Sequence, residues 1–502
     1  MVASIPTTRE EWEGMAAGYA FERRLFIDGK PTDPVDKGVY QSINPATGEV
    51  IAEVAVGTDK DIDIAVAAAR RAWKSGVWSR LAPRNRMDVL LRFSALVEDH
   101  TADFALLDSM EMGKPVSSMT GFDVPSAVAN LRFSAEAIDK IEGAVTNTTP
   151  EVLHYVLRQP LGVVGLIVPW NYPMMMACWK LGPALAMGNS VVLKPAQQTS
   201  LSALLLARLF SEAGGPDGVF SVVPGAGSVA GQALARHMDV DKIGFTGSGH
   251  VGGLMMRHAG ESNLKHVTTE CGGKSAQVIL EDADLDAAVE MAVHGIYSNQ
   301  GEVCAAGSRI LVQDTILDAF HEAFERRTKA NYAPGNPLEP TTTMGPLVDA
   351  RQHTSVLGYI DAGRAEGARL VFGGGVPEGF AAGCYLEPTL FSDVTNRMKI
   401  AKEEIFGPVG VVIPIRDVEH GIAVANESVF GLGSSVWTRD IGVAHRFARD
   451  VEAGMVWINT YFDQDPTAPW GGYKQSGNGR DKCLEALTHY SQTKSVWLNF
   501  GT

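Results

Sequence analysis

Between Thr58 and Trp73 apolar residues return every three or four positions: Ile62, Ala65, Val66, Ala69, Ala72 and Trp73. That period lays them on one face of a helix, and Thr58 with Asp61 has the spacing of an N-terminal capping box. The early part of the chain therefore reads as helices. From about Leu161 the rhythm changes. VVGLIV, SVVLKP, VFSVVPG and KIGFTG are short β-rich runs, separated by helical patterns around MMMACWKLGPALA, LSALLLARLFSEA and VAGQALARH. Parallel strands need a crossover between them, so this alternation predicts an α/β fold with a parallel sheet. A second series follows Glu270: SAQVIL, the helical DLDAAVEMAVHGIY, RILV and a helix through Phe324. Two α/β units in series are expected, with no internal repeat.

Composition narrows the function classes. A chain of 502 residues with 45% apolar and 20% charged residues has the balance of an ordinary globular protein with two or three domains. Its net charge of -15 argues against a nucleic-acid or anionic-membrane partner, which both need a basic footprint. The polar start MVASIPTTREEWEG is no secretory signal, and runs such as VVGLIVP are too short to span a bilayer. The 5 cysteines form no CxxC pair, and the 12 histidines show no HExxH or similar metal-ligand spacing. A cytoplasmic protein without a metal is expected.

Cys304 stands out against this background. It lies in SNQGEVCAAGSR, among glycine, alanine and small polar residues, where a packed structural cysteine would have apolar neighbours. Two glycine clusters compete for a dinucleotide phosphate. PGAGSVAG, residues 224–231 and including Gly227, follows a strand, yet the acidic residue of a Rossmann turn is not clearly placed after it. FTGSGHVG, residues 245–252, also joins a strand to a helix N-terminus. A plain βα turn explains either one alone.

Further segments share this density of small and polar residues: PWNYP, LKPAQQT, ECGGKSA, EEIFGPV and PWGGYKQSGNGR. With FTGSGHVG and NQGEVCAAGSR they resemble, in order and spacing, the signature segments of the aldehyde dehydrogenase superfamily. The resemblance runs from about Arg24 to the C-terminus. SAEAIDKIEG, CWKLGPALAMGNSVVLKP, NQGEVC and YKQSGNGRDKCLEAL are most similar to the bacterial γ-glutamyl-γ-aminobutyraldehyde and guanidinobutyraldehyde dehydrogenases.

The resemblance implies a fold of two Rossmann-like parallel-sheet domains and a small β oligomerisation arm. Residues 1–142 and 161–272 would bind the cofactor, 273–485 would form the catalytic domain, and 143–160 with 486–502 the arm. It implies that Cys304 attacks an aldehyde carbonyl, that Asn171 and the Cys304 N–H hold the oxyanion, and that Glu270 activates the water that hydrolyses the thioester. Lys180 would support the site. For the cofactor it implies Lys194 at the adenosine ribose, Gly247 and Ser248 at the pyrophosphate, and Glu404 at the nicotinamide ribose with Phe406 near its ring. Pro169, Trp170, Gln197, Gly227, Phe245 and Gly272 join that set.

NAD-specific relatives usually carry glutamate where this chain has Gln197. An amide does not repel a 2′-phosphate, so NAD use with tolerance of NADP is expected. The resemblance places Tyr172, Met176, Trp179, Val303, Phe462 and Trp470 around the aldehyde, and Asp463 and Asp465 at acidic positions of the aminoaldehyde relatives. A small aldehyde with a cationic or amide-bearing chain is implied. Pro466 and Trp470 replace the methionine and phenylalanine of those relatives, which leaves aromatic or medium-chain aldehydes open. A cysteine-dependent esterase or amidase is the reading of another class. The strand-like VLHYVLRQP and TKSVWLNF would pair with a second subunit in a homodimer or homotetramer.

Overall fold

The structure, a computed structural model, describes residues 4–501. Among these residues the largest sheet has eight strands, in the order Lys30–Thr32, Leu25–Ile27, Phe220–Val222, Ser190–Lys194, Val163–Ile167, Lys242–Gly247, His266–Cys271 and Gly477–Asn478. The five inner strands from Phe220–Val222 to His266–Cys271 are parallel. Val163–Ile167 and Ser190–Lys194 are buried at every position, as strands covered by helices on both faces must be. Helices Pro173–Ala186 and Leu201–Glu212 make two of the crossovers.

The second sheet has seven strands: Arg369–Phe372, Thr389–Ser392, Val409–Ile415, Arg309–Gln313, Ala276–Ile279, Gly433–Trp437 and Met455–Ile458. All neighbours are parallel except the first pair. A third sheet joins Ser491–Asn499, Val152–Pro160 and Ala144–Thr146, all antiparallel. The α/β reading and the strand-like reading of VLHYVLRQP and TKSVWLNF hold.

Two features differ from the expectation. The early region is not helical throughout: Leu25–Ile27 pairs with Lys30–Thr32, and Val39–Ile43 with Val50–Ala55, before the helix Asp59–Ser75 begins. These strands are three to six residues long, and two of them are largely exposed, so no apolar period marks them. The capping box at Thr58 is present, with the Thr58 N–H 2.8 Å from Asp61 Oδ2. The second difference is a return of the chain. Gly477–Asn478, from the segment expected to lie with the second sheet, pairs with Thr269 and Glu270 at the edge of the first.

Candidate active site

The helix Leu285–Tyr297 ends beside the second sheet, and a tight turn follows at Ser298–Gly301. Asn299 (φ 48°), Gln300 (φ 56°) and Gly301 (φ 73°) are consecutive left-handed residues. At Gly301 a Cβ would lie 2.1 Å from the Gly407 carbonyl oxygen, so glycine alone fits. Local bonds hold this unfavourable path. Asn299 Nδ2 donates to the carbonyls of Asn171 (3.0 Å) and Glu302 (3.2 Å), Gln300 Oε1 accepts from the Gly345 N–H (3.3 Å), and Glu302 Oε1 accepts from the Val348 N–H (3.0 Å). Cys304 emerges half-buried from the end of this loop. Asn171, 4% exposed, donates one amide hydrogen to the Glu302 carbonyl at 2.8 Å, which leaves its second N–H for another acceptor.

Glu270 is the penultimate residue of His266–Cys271 and is 4% exposed. Its Oε1 meets no hydrogen-bond partner. Burial pushes its carboxyl well above the usual range, and Asp481 adds to this, while Lys180 and Arg480 oppose it. Burial likewise pushes the Cys304 thiol up, and the carboxylates of Glu270 and Glu404 act in the same direction. Both shifts favour the protonated forms. Lys180 and Asp481 form a buried pair at 2.7 Å, so Lys180 acts on Glu270 through the field of a pair and not as a lone cation.

Across from the nucleophile, the Gly273 N–H donates to Glu404 Oε1 at 3.3 Å. A Cβ on Gly272 would stand 2.0 Å from Glu404 Oε2. Burial raises the Glu404 carboxyl to about 7, against the pull of the Gly273 N–H and Lys274. Phe406, itself left-handed at φ 56°, meets Trp170 edge-on at 5.1 Å.

Lys194 closes the strand Ser190–Lys194 and is 4% exposed. No hydrogen bond or ion pair holds its ammonium among the described residues, and burial lowers it to about 8. The turn Gly227–Gly231 passes beside its stem, with a Cβ on Gly231 placed 3.6 Å from Lys194 Cδ. Gln197 lies half-buried in the next turn. Phe245 is buried beneath Gly247, and Ser248 caps the helix Gly249–Gly260 by accepting from the Val251 N–H. A buried unpaired ammonium, a capped helix start and the Glu404 carboxylate suit the hydroxyls and phosphates of a dinucleotide.

A cavity of ≈ 560 Å³ brings most of these groups together. Of the residues expected at the cofactor, Pro169, Trp170, Gly247, Ser248, Gly272, Glu404 and Phe406 line it. So do Cys304, Asn171 and Glu270, with Tyr172, Met176, Trp179, Val303, Phe462, Asp463 and Trp470. Lys180, Lys194, Gln197, Gly227 and Phe245 lie outside this cavity. Asp465 also stands apart, against expectation: it is exposed, and Oδ1 caps its own turn by accepting from the Thr467 N–H and Oγ1 at 2.9 and 2.5 Å. Proximity to Asp463 in sequence did not carry it to the wall.

The structure also adds residues that no motif pointed to. Lys114 and Asp123 form an ion pair of 2.6 Å, each 1% exposed, with the ammonium 3.3 Å from the centroid of Tyr172. His294, Tyr461 and Gln464 line the cavity. Asp481 and Lys482 sit behind it; they lie in YKQSGNGRDKCLEAL, whose sequence does not show which way they face.

Comparison with known proteins decides the family. The model of the aldehyde dehydrogenase family matches residues 32–496. The chain belongs to the aldehyde dehydrogenase family. It is 45% identical to the NADP/NAD-dependent aldehyde dehydrogenase PuuC of Escherichia coli (strain K12), over 97% of this chain and 98% of that one. A solved indole-3-acetaldehyde dehydrogenase in complex with NAD+ superposes with a TM-score of 0.97 at 47% identity, covering 98% of this chain and 100% of its own. The γ-glutamyl-γ-aminobutyraldehyde dehydrogenase of Burkholderia cenocepacia J2315 matches with the same TM-score and identity, over 99% and 100%. This aldehyde dehydrogenase is therefore an oxidoreductase that takes small aldehydes with a nicotinamide cofactor. No helix among the described residues is long and apolar enough to cross a membrane.

Proposed function

We propose that this aldehyde dehydrogenase oxidises an ω-amino or γ-glutamylamino aldehyde to the free acid, with Cys304 as nucleophile and NAD or NADP as oxidant. The observation that carries the reading is the meeting of Cys304, the free N–H of Asn171 and the unpartnered carboxyl of Glu270 in one cavity. The Cys304 thiol gives its proton to solvent water, and its sulfur adds to the carbonyl carbon as the C=O π pair moves onto the oxygen. The resulting oxyanion takes hydrogen bonds from Asn171 Nδ2 and the Cys304 N–H, and one such donor is worth about 3 kcal/mol of barrier. Bound nicotinamide supplies the acceptor of the aldehyde hydride. Glu270, whose Oε1 meets no partner, then takes, in its ionised form, a proton from the water that cleaves the Cys304 thioester.

Residues 1–142 and 161–272 carry the cofactor and 273–485 the nucleophile. Segments 143–160 and 486–502 pair with a second copy in a dimer or tetramer, since Val145, Leu157, Trp497, Leu498 and Phe500 are exposed there. Lys194 and Gln197 oppose no negative charge to a 2′-phosphate, which supports use of both nucleotides. A cytoplasmic location accords with this chemistry. Asp463 on the cavity wall and the Burkholderia relative's name support an amine- or amide-bearing chain. The indole pair Trp179 and Trp470, 5.5 Å apart, favours aromatic aldehydes as a second reading.

The test is NADH and NADPH formation with 4-aminobutanal, γ-glutamylaminobutanal, hexanal and an arylacetaldehyde. Preference for the first two supports the proposal, preference for the arylacetaldehyde installs the second reading, and preference for hexanal overturns both. Turnover by Cys304→Ala equal to the parent would refute the mechanism.

A further inference from the structure

Behind the cavity wall lies a cation that the proposed chemistry does not use. Lys482, 4% exposed, begins the helix Cys483–His489 in a left-handed conformation at φ 63°. Its ammonium stands 4.9 Å from the ring centroid of Trp179 and 5.7 Å from that of Trp470, and donates to Gln464 Oε1 at 2.9 Å. All three partners line the cavity. The two indoles meet each other edge-on at 67°. One side chain therefore touches three parts of the wall from outside.

The charge is poorly compensated. Asp481, the nearest residue in sequence, is committed to Lys180 at 2.7 Å. Asp465 is exposed and bonded to Thr467. Burial lowers the ammonium to about 8, and Asp465, Cys483 and Asp481 pull it back, so it stays predominantly cationic at neutral pH. A cation against one face of an indole draws on the same π density that would attract a second cation to the other face. The carboxyl and ammonium groups that line the cavity are the self-neutralised Lys114–Asp123 pair, Glu270 and Glu404 beside Cys304 and the cofactor groove, and Asp463, whose Oδ2 accepts from Thr460 Oγ1.

We propose that Lys482 is a specificity-determining residue, which holds Trp179, Trp470 and Gln464 as one wall and disfavours aldehydes carrying a positive charge beside that wall. The substrate is then an aldehyde whose chain is uncharged where it passes the indoles, such as an amide-linked amine, in preference to a free ω-ammonium chain. This rests on the aldehyde oxidation proposed above and chooses between its two substrate forms.

The experiment compares kcat/KM for γ-glutamylaminobutanal and 4-aminobutanal in the parent enzyme, Lys482→Met, Lys482→Gln and Lys482→Arg. Like charges separated by an indole in a low-dielectric wall are expected to set a preference of about tenfold or more for the amide. Removing the charge in Lys482→Met narrows that ratio by at least about fivefold, mostly through a lower KM for 4-aminobutanal, and Lys482→Arg keeps it. If Lys482→Met does not fold, Lys482→Gln carries the same comparison. A ratio unchanged in the neutral variants, or changed equally in Lys482→Arg, overturns the assignment. Absence of turnover with every aldehyde in the parent enzyme fails the proposed function itself, and is distinguishable because no variant enters that result.

Discussion

The side-chain amide of Asn299 lies 3.0 Å from the carbonyl oxygen of Asn171, and the same nitrogen reaches the Glu302 carbonyl at 3.2 Å. Asn171 Nδ2 in turn donates to that Glu302 carbonyl at 2.8 Å. The strand-end loop bearing Asn171 and the nucleophile loop are thereby fastened by two side-chain amides, one from each loop.

Asn299→Ala should release both loops. Loss of alignment at an oxyanion donor costs about 10²-fold in kcat, and Asn299 acts one bond away, so a loss of about tenfold to a hundredfold is expected. Rapid-quench measurement of the first turnover, beside a nucleotide titration, checks this: the burst slows while nucleotide affinity holds. Equal weakening of both would mark a purely structural role.

Gly272→Ala places a methyl group 2.0 Å from Glu404 Oε2. Either the carboxylate or the loop 270–273 has to move, and both border the groove assigned to the nicotinamide ribose. Nucleotide affinity should fall by about tenfold, or about 1.4 kcal/mol, as read by protein fluorescence quenching. Unaltered affinity would mean that Glu404 does not touch the nucleotide.

In the cofactor-free protein, alkylation of Cys304 by iodoacetamide should keep accelerating above pH 9. The sign follows from the surroundings: burial and the charges of Glu270 and Glu404 disfavour the thiolate, so its share rises only at high pH. Glu270→Gln removes one of those charges and should speed alkylation at a fixed pH. A plateau below pH 8 would contradict this account.

Lys180→Met leaves the Asp481 carboxylate buried without its partner. A cost of about 3–5 kcal/mol is expected in denaturant unfolding. Lys180→Met with Asp481→Leu should cost less than Lys180→Met alone, because no orphan charge remains. Additive losses would show that the pair contributes little beyond its two packed stems.

The chain's own pattern determined a good deal. Alternating runs from Leu161 onward yield parallel strands because a short β-rich run flanked by a helical period has few other ways to bury both faces, and Thr58 with Asp61 caps its helix through bonds three residues apart. The composition of NQGEVC sets Cys304 apart from a packed cysteine, and the resemblance to aldehyde dehydrogenases implies its role. What lay beyond the sequence depends on residues far apart in the chain. The strands of residues 25–55 are short and partly exposed, so their pairing follows from neighbours and not from periodicity. Asp465 and Asp463 are two residues apart, yet only Asp463 lines the cavity, since this irregular turn has no period that fixes which way each side chain faces, and Asp465 turns back to accept from Thr467. Lys180 finds Asp481, Lys114 finds Tyr172, and Lys482 finds Trp179 only after the sheets are in place. Local propensity sets where strands and helices form; the direction in which a buried charge points is decided by what the tertiary packing brings to meet it.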